Sequence, residues 1–268
     1  MAVFHLVSFG INKELSRFLC KCELVFTPVM QCKILWNYRN YHPGATTECN
    51  KLENLLFVWP QIRMVKIGVL ALQGSFSEHI HVFKLLNEEA FEIRTVQDLT
   101  HDIQGLVIPG GESTTMAHFL AQNDFLEGVK TWWKQGSRFI WGTCAGLILL
   151  ADVLENEKVG GQVHLGGLSV TVQRNSYGRQ AQSCEQTVLL RNAHLIQDGK
   201  SEFHGVFIRA PKIIEIKPNV QVLAVTQNQE VVGVWQDNLM ATSFHPELTQ
   251  DWRFHQFFVN MIKDGFGP

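Results

Sequence analysis

One cysteine of the chain lies in a sequence context that suits covalent catalysis. Cys144 is the centre of the segment Gly142-Thr143-Cys144-Ala145-Gly146, which joins an apolar run typical of a strand to an apolar run typical of a helix. This is the cysteine form of the G-x-S-x-G turn, where larger side chains in place of the glycines would crowd a strained bend. A helix N-terminus favours thiolate, and the Ala145 N–H can donate to an oxyanion. We predict that Cys144 is a nucleophile rather than a small buried residue.

A thiol nucleophile needs a base, and the base needs a partner that fixes its tautomer. His245-Pro246-Glu247 supplies both after a predicted strand, because residues i and i+2 of an extended backbone project to the same side. Pro246 favours that extended geometry at His245. We predict that His245 is the base and that Glu247 orients it; the alternative is a solvated His–Glu pair in a loop. The histidines without a comparable partner, which we assign to surface or core positions, are His79, His81, His118, His164, His194, His204 and His255.

A pair of glycines follows the third predicted strand, in Pro109-Gly110-Gly111-Glu112-Ser113. Two glycines let the backbone come close to a ligand and present bare N–H groups. We therefore take the Gly111 N–H as the second oxyanion donor. The same segment fits a strand-to-helix turn with Ser113 as N-cap, and the two roles are compatible.

Two arginines each follow a β-like stretch and are candidates for binding a substrate carboxylate. These are Arg174 and Arg209. A guanidinium is planar and fork-shaped, so it matches the two oxygens of a carboxylate. On composition alone, each arginine fits a surface charge better than a ligand.

The elements around these residues alternate between strand and helix patterns, which predicts a parallel sheet covered on both faces by helices. A continuous apolar run predicts a buried parallel strand at residues 65–72, and further strands are predicted at residues 91–96, 106–108 and 138–141. The first predicted helix starts with a capping box at Ser75 and Glu78 and has an apolar stripe of Ile80, Phe83, Leu85 and Leu86. Two further helices are predicted, one over residues 114–135 with a break near Asn123 and one over residues 147–154.

After residue 155 the pattern changes to short segments rich in β-forming residues. We predict antiparallel strands, added to the sheet or forming a small second sheet, at residues 168–173, 186–190, 206–208, 220–226, 230–235 and 240–244. The pattern of residues 252–262 predicts an amphipathic helix as the last element of the chain. The expected fold is therefore a three-layer α/β/α arrangement with a mostly parallel central sheet plus additional antiparallel strands.

The composition restricts the class of protein. The chain has 268 residues, 46% hydrophobic and 18% charged, a balance that supports a globular core. A formal net charge of -2 gives no reason to expect binding to nucleic acid or to an anionic membrane. No apolar run reaches the length of about 18 residues that a membrane span needs. Four of the six cysteines lie in the first 50 residues without zinc-site spacing, and Cys184 is assigned as a structural or surface thiol. We predict a reducing, cytoplasmic location.

Residues 1–63 differ in character from residues 64–268. The first segment has no clear helix or strand period, yet it is too apolar for a typical disordered tail. It lacks the basic start of a secretory signal, and Glu14 and Glu23 interrupt a mitochondrial presequence pattern. We predict an N-terminal extension of unknown role, residues 1–63, before the domain of residues 64–268. The extension is a real appendage or follows from a misassigned start; we favour the second, because Met64 directly precedes the first predicted strand.

Residues 64–268 resemble class I, triad-type glutamine amidotransferases, whose fold is flavodoxin-like. More narrowly, they resemble the glutaminase subunits of pyridoxal 5'-phosphate synthases. The motifs that carry the resemblance lie at residues 71–79, 109–116, 142–146, 174–180, 207–211 and 243–249. The cysteine and His-Pro-Glu motifs are shared by many triad amidotransferases. Gly-Gly-Glu-Ser-Thr-Thr-Met, Arg-Asn-Ser and Ile-Arg-Ala-Pro are more specific to this group.

The resemblance implies L-glutamine as the substrate of a glutamine amidotransferase domain at residues 64–268. It implies a triad of Cys144, His245 and Glu247, with Gly111 and Ala145 at the oxyanion hole. Gln73 matches a position near the oxyanion site and the face that meets a partner. The positions that match substrate-binding residues are Gly110, Gly111, Glu112, Ser113, Arg174, Ile208 and Arg209.

The resemblance also implies a partner protein. Family members pass ammonia to a barrel-shaped synthase subunit, which builds pyridoxal 5'-phosphate from a pentose phosphate and a triose phosphate. They generally need that subunit for full activity, and no metal or organic cofactor is implied for the glutaminase itself. Two features depart from the family: Tyr177 stands where phenylalanine is usual, and residues 1–63 match nothing.

Two other functions remain open on the residues alone. A γ-glutamyl hydrolase or a cysteine peptidase can use the same scaffold, with larger substrates and no need of a partner. A catalytically silent scaffold subunit is the second alternative, and the complete set of Cys144, His245 and Glu247 counts against it.

Overall fold

The structure is a computed structural model that describes residues 64–122, 124–155, 163–174 and 183–265. The predicted N-terminal extension and Tyr177 lie outside these residues. None of the helices within the described ranges is long and apolar enough to cross a membrane.

The central sheet has nine strands in the described residues, and one half of it is parallel. In spatial order the parallel strands are β2 (Glu89–Ile93), β1 (Lys66–Leu70), β3 (Gly105–Ile108), β4 (Phe139–Thr143) and β12 (Leu239–Thr242). Every residue of β3, β4 and β12 is buried, which explains why these segments are apolar throughout. The four predicted strands are therefore confirmed, although their ends shift; the second begins and ends earlier than predicted, and its Glu89 and Glu92 are exposed.

The other half of the sheet is antiparallel and continues outward from β12. Its strands, in spatial order, are β11 (Val231–Gln236), β10 (Gln221–Thr226), β7 (Ser183–Leu190) and β8 (Glu202–Ile208). The prediction of antiparallel strands added to a parallel sheet is confirmed for these four, and this antiparallel part is as extensive as the parallel one. It is wrong for residues 240–244, because β12 runs parallel to β4.

A separate three-stranded sheet packs beside the main one. It consists of β5 (Ala151–Glu155), β6 (Leu168–Gln173) and β9 (Lys212–Ile216), with β5 parallel and β9 antiparallel to β6. The two alternatives left open for the later strands therefore both occur. The prediction of a helix over residues 147–154 is wrong beyond Leu150, because an apolar run does not reveal where a buried helix becomes a strand.

Five helices in the described residues cover the sheet. They are α1 (Phe76–Leu85), α2 (Ser113–Leu120), α3 (Phe125–Lys134), α4 (Ala145–Leu150) and α5 (Arg253–Asp264). The predicted break within residues 114–135 is confirmed, because α2 and α3 are separate. One core cluster holds α2, α3 and α4 side chains, and the other holds those of α1 and α5. Helices therefore lie on both faces of the sheet, as expected for three layers.

Successive side chains along a parallel strand point to opposite faces of the sheet and so contribute to both core clusters. Ile140 of β4 belongs to the cluster under α2 to α4, whereas its neighbours Phe139 and Trp141 belong to the cluster under α1 and α5. The exposed fraction of Leu85, 45%, contradicts its predicted place on the buried face of α1. Phe83 of the predicted stripe is buried, together with His79 and Val82.

The register between β4 and β12 brings two loops together at one edge of the sheet. The two strands run parallel, and Thr143 lies opposite Thr242 at their carboxyl ends. Cys144 follows Thr143 directly, and His245 lies three residues after Thr242. Two segments about a hundred residues apart in the chain therefore end beside each other, where ligands bind in open α/β sheets.

Candidate active site

The predicted nucleophile lies on a strained turn between β4 and α4. The backbone of Cys144 has φ 49° and ψ -98°, an unfavourable combination for a residue other than glycine. Its N–H donates to the Thr242 carbonyl at 2.8 Å, which fixes the turn to β12. Its thiol donates to the carbonyl oxygen of Ile208, with 3.7 Å between sulfur and oxygen. The strained turn therefore aims a buried thiol at the edge of the sheet.

The two glycines around Cys144 are needed for the reason that the sequence suggests. A Cβ atom on Gly142 would lie 2.5 Å from the backbone of Gly146, and one on Gly146 would lie 2.1 Å from the Ile108 carbonyl oxygen. Both distances are too short for real contacts. The crowding predicted from the motif is therefore confirmed.

The predicted base and its orienter are hydrogen-bonded to each other. His245 Nδ1 lies 2.7 Å from Glu247 Oε1, and both residues are buried. The His245 N–H donates to the Val206 carbonyl at 2.8 Å, which holds the loop against β8. The pairing is confirmed, but its predicted route is wrong: a short 3₁₀ turn, Pro246–Leu248, brings Glu247 back to His245 in place of an extended segment.

Thiol, imidazole and carboxylate are electrostatically coupled. Burial lowers the pKa of His245, but its hydrogen bonds to Cys144 and Glu247 outweigh this and raise the pKa to about 10. Burial likewise raises the pKa of Glu247, but the facing imidazoles of His79 and His245 and the Ser75 hydroxyl lower it to about 2. The arrangement therefore favours a proton on His245 between an ionised Glu247 and the thiol.

Ser75 contributes to this group in a way that the sequence did not indicate. Its hydroxyl donates to Glu247 Oε1, with 2.5 Å between the two oxygens. Ser75 is the N-cap residue of α1, yet its side chain makes no capping hydrogen bond. The predicted capping box at Ser75 and Glu78 is therefore wrong, because the hydroxyl serves a carboxylate that lies 172 residues further along the chain.

Two further histidines lie behind the triad carboxylate. His79 and His255 are both completely buried, and 3.0 Å separates His79 Nδ1 from His255 Nε2. His79 Nε2 lies 3.3 Å from Glu247 Oε2. A core position was one of the two assignments for these histidines, but their contact with Glu247 was missed. Spacing was the available signal, since His79 precedes Phe83 by one helical turn and so shares its buried face.

A cavity of about 150 Å³ opens beside Cys144. This is the size of a cavity that holds a benzene-sized molecule. Gly110 and Glu247 do not line it, and Ile148 lines it without having been predicted. The predicted residues that the fold brings to its wall are Gln73, Gly111, Glu112, Ser113, Cys144, Ala145, Arg174, Ile208, Arg209 and His245.

The glycine segment after β3 closes one side of this cavity. Gln73 Oε1 accepts a hydrogen bond from the Glu112 N–H at 2.7 Å, so the loop after β1 holds the segment in place. The predicted N-cap is one residue too late: Glu112 caps α2 by accepting from the Thr115 N–H, and Ser113 is the first helical residue. The carboxylate is the stronger acceptor for a helix N-terminus and displaces the serine from that role.

The two predicted arginines lie on the cavity wall, on separate segments. Arg174 donates to Thr114 Oγ1 at 3.0 Å, which directs its guanidinium toward the start of α2. Arg209 has φ 45°, a left-handed backbone conformation that is uncommon for a side chain of this size. Strain of this kind occurs at ligand sites more often than at ordinary surface positions. The position of both arginines on the wall agrees with a ligand role, and the backbone strain at Arg209 favours that role over a surface role there.

Replacing Gly110 by alanine is expected to lower catalytic turnover by about 100-fold or more, because the Gly110 backbone packs on the imidazole of His245. A Cβ atom at Gly110 would lie 2.1 Å from His245 Cε1. The ring is buried and cannot move aside without leaving the thiol. Steady-state kinetics and thermal melting check this. Gly136→Ala is the matched control: Gly136 has φ 90° with open space around it, so alanine there costs stability but leaves turnover intact.

Acid is expected to destabilise the protein through the two buried histidines. Burial lowers the pKa of His79, opposed by Glu247 and Glu78 and assisted by His245. Burial, assisted by His79, lowers the pKa of His255 well below its usual value. Both groups therefore bind protons more weakly in the folded protein than in the unfolded chain. Each lowers the free energy of unfolding by up to about 1.4 kcal/mol per pH unit below about pH 6.5.

Melting temperatures between about pH 6 and about pH 5 measure this effect, because His245, whose folded pKa is about 10, is mostly protonated in both states over that range. The His255→Phe variant lacks one of the two titrating groups, so its melting temperature should fall less steeply than that of the wild type. A wild type that melts at the same temperature throughout, or a variant with the same slope as the wild type, would contradict the prediction.

A thiol, an imidazole and a carboxylate arranged in this way at the carboxyl edge of an α/β sheet define a triad-type thiol hydrolase. The chain belongs to the SNO glutamine amidotransferase family, which it matches over residues 69–264.

Individual relatives agree with this family. The probable pyridoxal 5'-phosphate synthase subunit PDX2 of Arabidopsis thaliana is 42% identical over 221 residues, covering 74% of this chain and 86% of that protein. The pyridoxal 5'-phosphate synthase subunit PdxT of Anoxybacillus flavithermus is 43% identical over 203 residues, covering 75% of this chain and 98% of that protein.

Solved structures show the same fold. A crystal structure of a glutamine amidotransferase is 40% identical, with a TM-score of 0.65 and coverage of 74% of this chain and 98% of that one. The structure of PurLQS from Thermotoga maritima is 14% identical, with a TM-score of 0.54 and coverage of 75% of this chain and 100% of that one, and it supports the fold alone.

Proposed function

We propose that the protein is the glutaminase subunit of a pyridoxal 5'-phosphate synthase, which hydrolyses L-glutamine to L-glutamate and ammonia through a thioester on Cys144. One observation carries the proposal: a single small cavity gathers the thiol, its base, a glycine segment and two arginines. Family membership supports glutamine as the substrate class. The names of the relatives that cover the domain support the biosynthetic role.

The first half of the reaction forms the thioester. His245 takes the Cys144 proton, and the thiolate attacks the side-chain carbonyl carbon of glutamine. The oxygen of the tetrahedral intermediate accepts hydrogen bonds from the N–H groups of Gly111 and Ala145. Each such donor contributes about 3 kcal/mol to the transition state in comparable sites. His245 then protonates the leaving nitrogen, and ammonia departs.

The second half regenerates the thiol. His245 accepts a proton from water, whose oxygen attacks the thioester, and glutamate leaves as Cys144 recovers its proton. Glu247 keeps the imidazole in one tautomer and stabilises its charge in both halves. Arg174 and Arg209 bind the α-carboxylate of glutamine, while Glu112, Ser113 and Ile208 complete the pocket around it. Neither half needs a metal or an organic cofactor.

Ammonia explains why a partner belongs to the proposal. Ammonia is a nucleophile only when unprotonated, and bulk water near neutral pH would protonate it. A docked synthase subunit that receives ammonia directly prevents that loss. Gln73 borders both the cavity and the glycine segment, so its loop is the proposed contact through which docking reaches the oxyanion site. A reducing cytoplasm, where a thiol nucleophile stays active, is the proposed compartment.

Substrate competition separates this function from other thiol hydrolases. Ammonia and glutamate release from L-glutamine is measured with and without a barrel-type pyridoxal 5'-phosphate synthase subunit, and with γ-glutamyl peptides as competitors. We expect release from glutamine that rises when the synthase subunit is present. Cleavage of γ-glutamyl peptides without cleavage of glutamine would identify a γ-glutamyl hydrolase or peptidase instead.

A further inference from the structure

The reaction scheme leaves two buried titratable residues unused. His79 of α1 and His255 of α5 are completely buried, and 3.0 Å separates Nδ1 of the first from Nε2 of the second. Burying two imidazoles is costly unless their nitrogens are satisfied. A pair of this kind at the back of a catalytic site therefore calls for a role.

The first turn of α1 faces both oxygens of Glu247. Ser75 donates to Oε1, and His79, one turn later, places Nε2 3.3 Å from Oε2. Oε2 is buried and accepts no hydrogen bond of good geometry from the described residues. The Nε2 nitrogen of His79 is therefore the group best placed to donate a hydrogen bond to this oxygen.

Hydrogen-bond accounting selects one tautomer for each ring. If His255 Nε2–H donates to His79 Nδ1, the proton of His79 lies on Nε2, toward Glu247. His255 Nδ1 is then a lone pair, which agrees with its lack of a partner among the described residues. The reverse arrangement would bury an unpaired N–H at His255 and direct a lone pair of His79 at the carboxylate. Thr143 Oγ1, 3.3 Å from His79 Nε2, shares the proton in the favoured arrangement.

The pair of imidazoles can donate a hydrogen bond to Glu247 without adding a positive charge to the site. Burial lowers the pKa of both imidazoles, and the charged groups that face His79 are Glu247, Glu78 and His245. A neutral N–H stabilises the ionised Glu247, yet it leaves the positive charge of the site on His245.

Aromatic packing keeps both rings in place. Trp141 of β4 packs its indole ring edge-on against both imidazoles, with centroid distances of 5.3 Å to His79 and 4.8 Å to His255. Phe83 packs edge-on against His255 at 5.1 Å. The rings therefore have little freedom to rotate away from Glu247.

We propose that His79 and His255 are positioning residues for the reaction: His255 fixes the tautomer of His79, and the His79 N–H holds Glu247 ionised and aimed at His245. This inference rests on the proposed glutaminase function. It adds that the hydrogen bonds of the triad continue from Glu247 through two neutral imidazoles, first His79 of α1 and then His255 of α5.

Three variants test the proposal by kinetics. His79→Leu removes the N–H, so kcat should fall about tenfold or more while KM stays unchanged, and the acid limb of the pH profile should move to higher pH. His79→Gln retains an amide N–H near the same place and should recover most of the loss. Phe258→Leu is the control, since it loses packing in the same layer without touching Glu247 and should leave the pH profile unchanged.

A measurement that needs no turnover separates this inference from the function on which it rests. The rate of Cys144 alkylation by iodoacetamide reports the thiolate paired with protonated His245. In His79→Leu its midpoint should move to higher pH, because a less well held Glu247 stabilises the imidazolium less. A wild type inactive on glutamine would contradict the proposed function; an unshifted midpoint in a folded His79→Leu protein would contradict the role of His79.

Nitrogen NMR of the full-length protein labelled with ¹⁵N-histidine reads the tautomers directly, with assignments from His79→Gln and His255→Phe. We expect both rings to be neutral Nε2–H tautomers from about pH 6 to about pH 8. A protonated His79, or a His79 with its proton on Nδ1, would overturn the proposal whatever the kinetics show.

Discussion

Replacing Cys144 by alanine is expected to reduce glutamine hydrolysis by at least about 10⁴-fold, because no other group can form the thioester. Among the residues that the structure describes, the cavity wall contains one thiol, and the strained backbone of Cys144 presents it. Alanine accepts the same backbone and removes only the sulfur. Glutamine binding should therefore survive, which calorimetry of the variant with L-glutamine would measure.

The matched control for this variant is Cys184→Ala. Cys184 is an exposed free thiol on β7 that does not line the cavity, so its loss should leave hydrolysis unchanged. Ammonia release by the Cys144→Ala protein at the wild-type rate would contradict the account. It would instead support the alternative of a catalytically silent subunit whose apparent activity comes from elsewhere.

Replacing Glu247 by glutamine is expected to lower kcat by about 10³- to 10⁴-fold with little change in fold. Three possible donors face the Glu247 carboxylate: the Ser75 hydroxyl and the His245 ring at Oε1, and the His79 ring near Oε2. An amide has only one oxygen, so its NH₂ group must face one of these donors. His245 then loses either its tautomer or the charge that stabilises its protonated form.

A surface pair provides the control for this substitution. Glu185 and His204 lie 2.9 Å apart and are both exposed, so Glu185→Gln removes a His–Glu contact of similar length away from the site. Its kcat should equal that of the wild type. A Glu247→Gln protein with full activity at neutral pH would mean that His245 needs no carboxylate partner.

Much of the fold could be predicted because the parallel strands are buried along their whole length. β3, β4 and β12 therefore read as continuous apolar runs, and their order in the chain alternates with helices. The same property hid the boundary between α4 and β5, since Leu149, Leu150 and Ala151 are equally buried on both sides of it. Apolarity reports burial and does not distinguish a buried helix from a buried strand.

The site could be predicted where its chemistry lies in short motifs. The turn around Cys144 and the segment from His245 to Glu247 carry their own geometry, so they could be identified without knowing the fold. Ser75 and His79 could not, because each meets Glu247 across more than 160 residues of chain. Their roles depend on α1 packing against the turn after β12, a contact that no local pattern records.

Active-site labelling with a diazoketone analogue of glutamine tests the central claim most directly. Such an analogue alkylates the residue that attacks the glutamine side chain, and peptide mass spectrometry then identifies that residue. We predict one equivalent of label on Cys144, slowed by L-glutamine, absent from Cys144→Ala and matched by the loss of ammonia release. Continued ammonia release with Cys144 fully labelled, or inactivation through another residue, would contradict the assignment of Cys144 as the nucleophile.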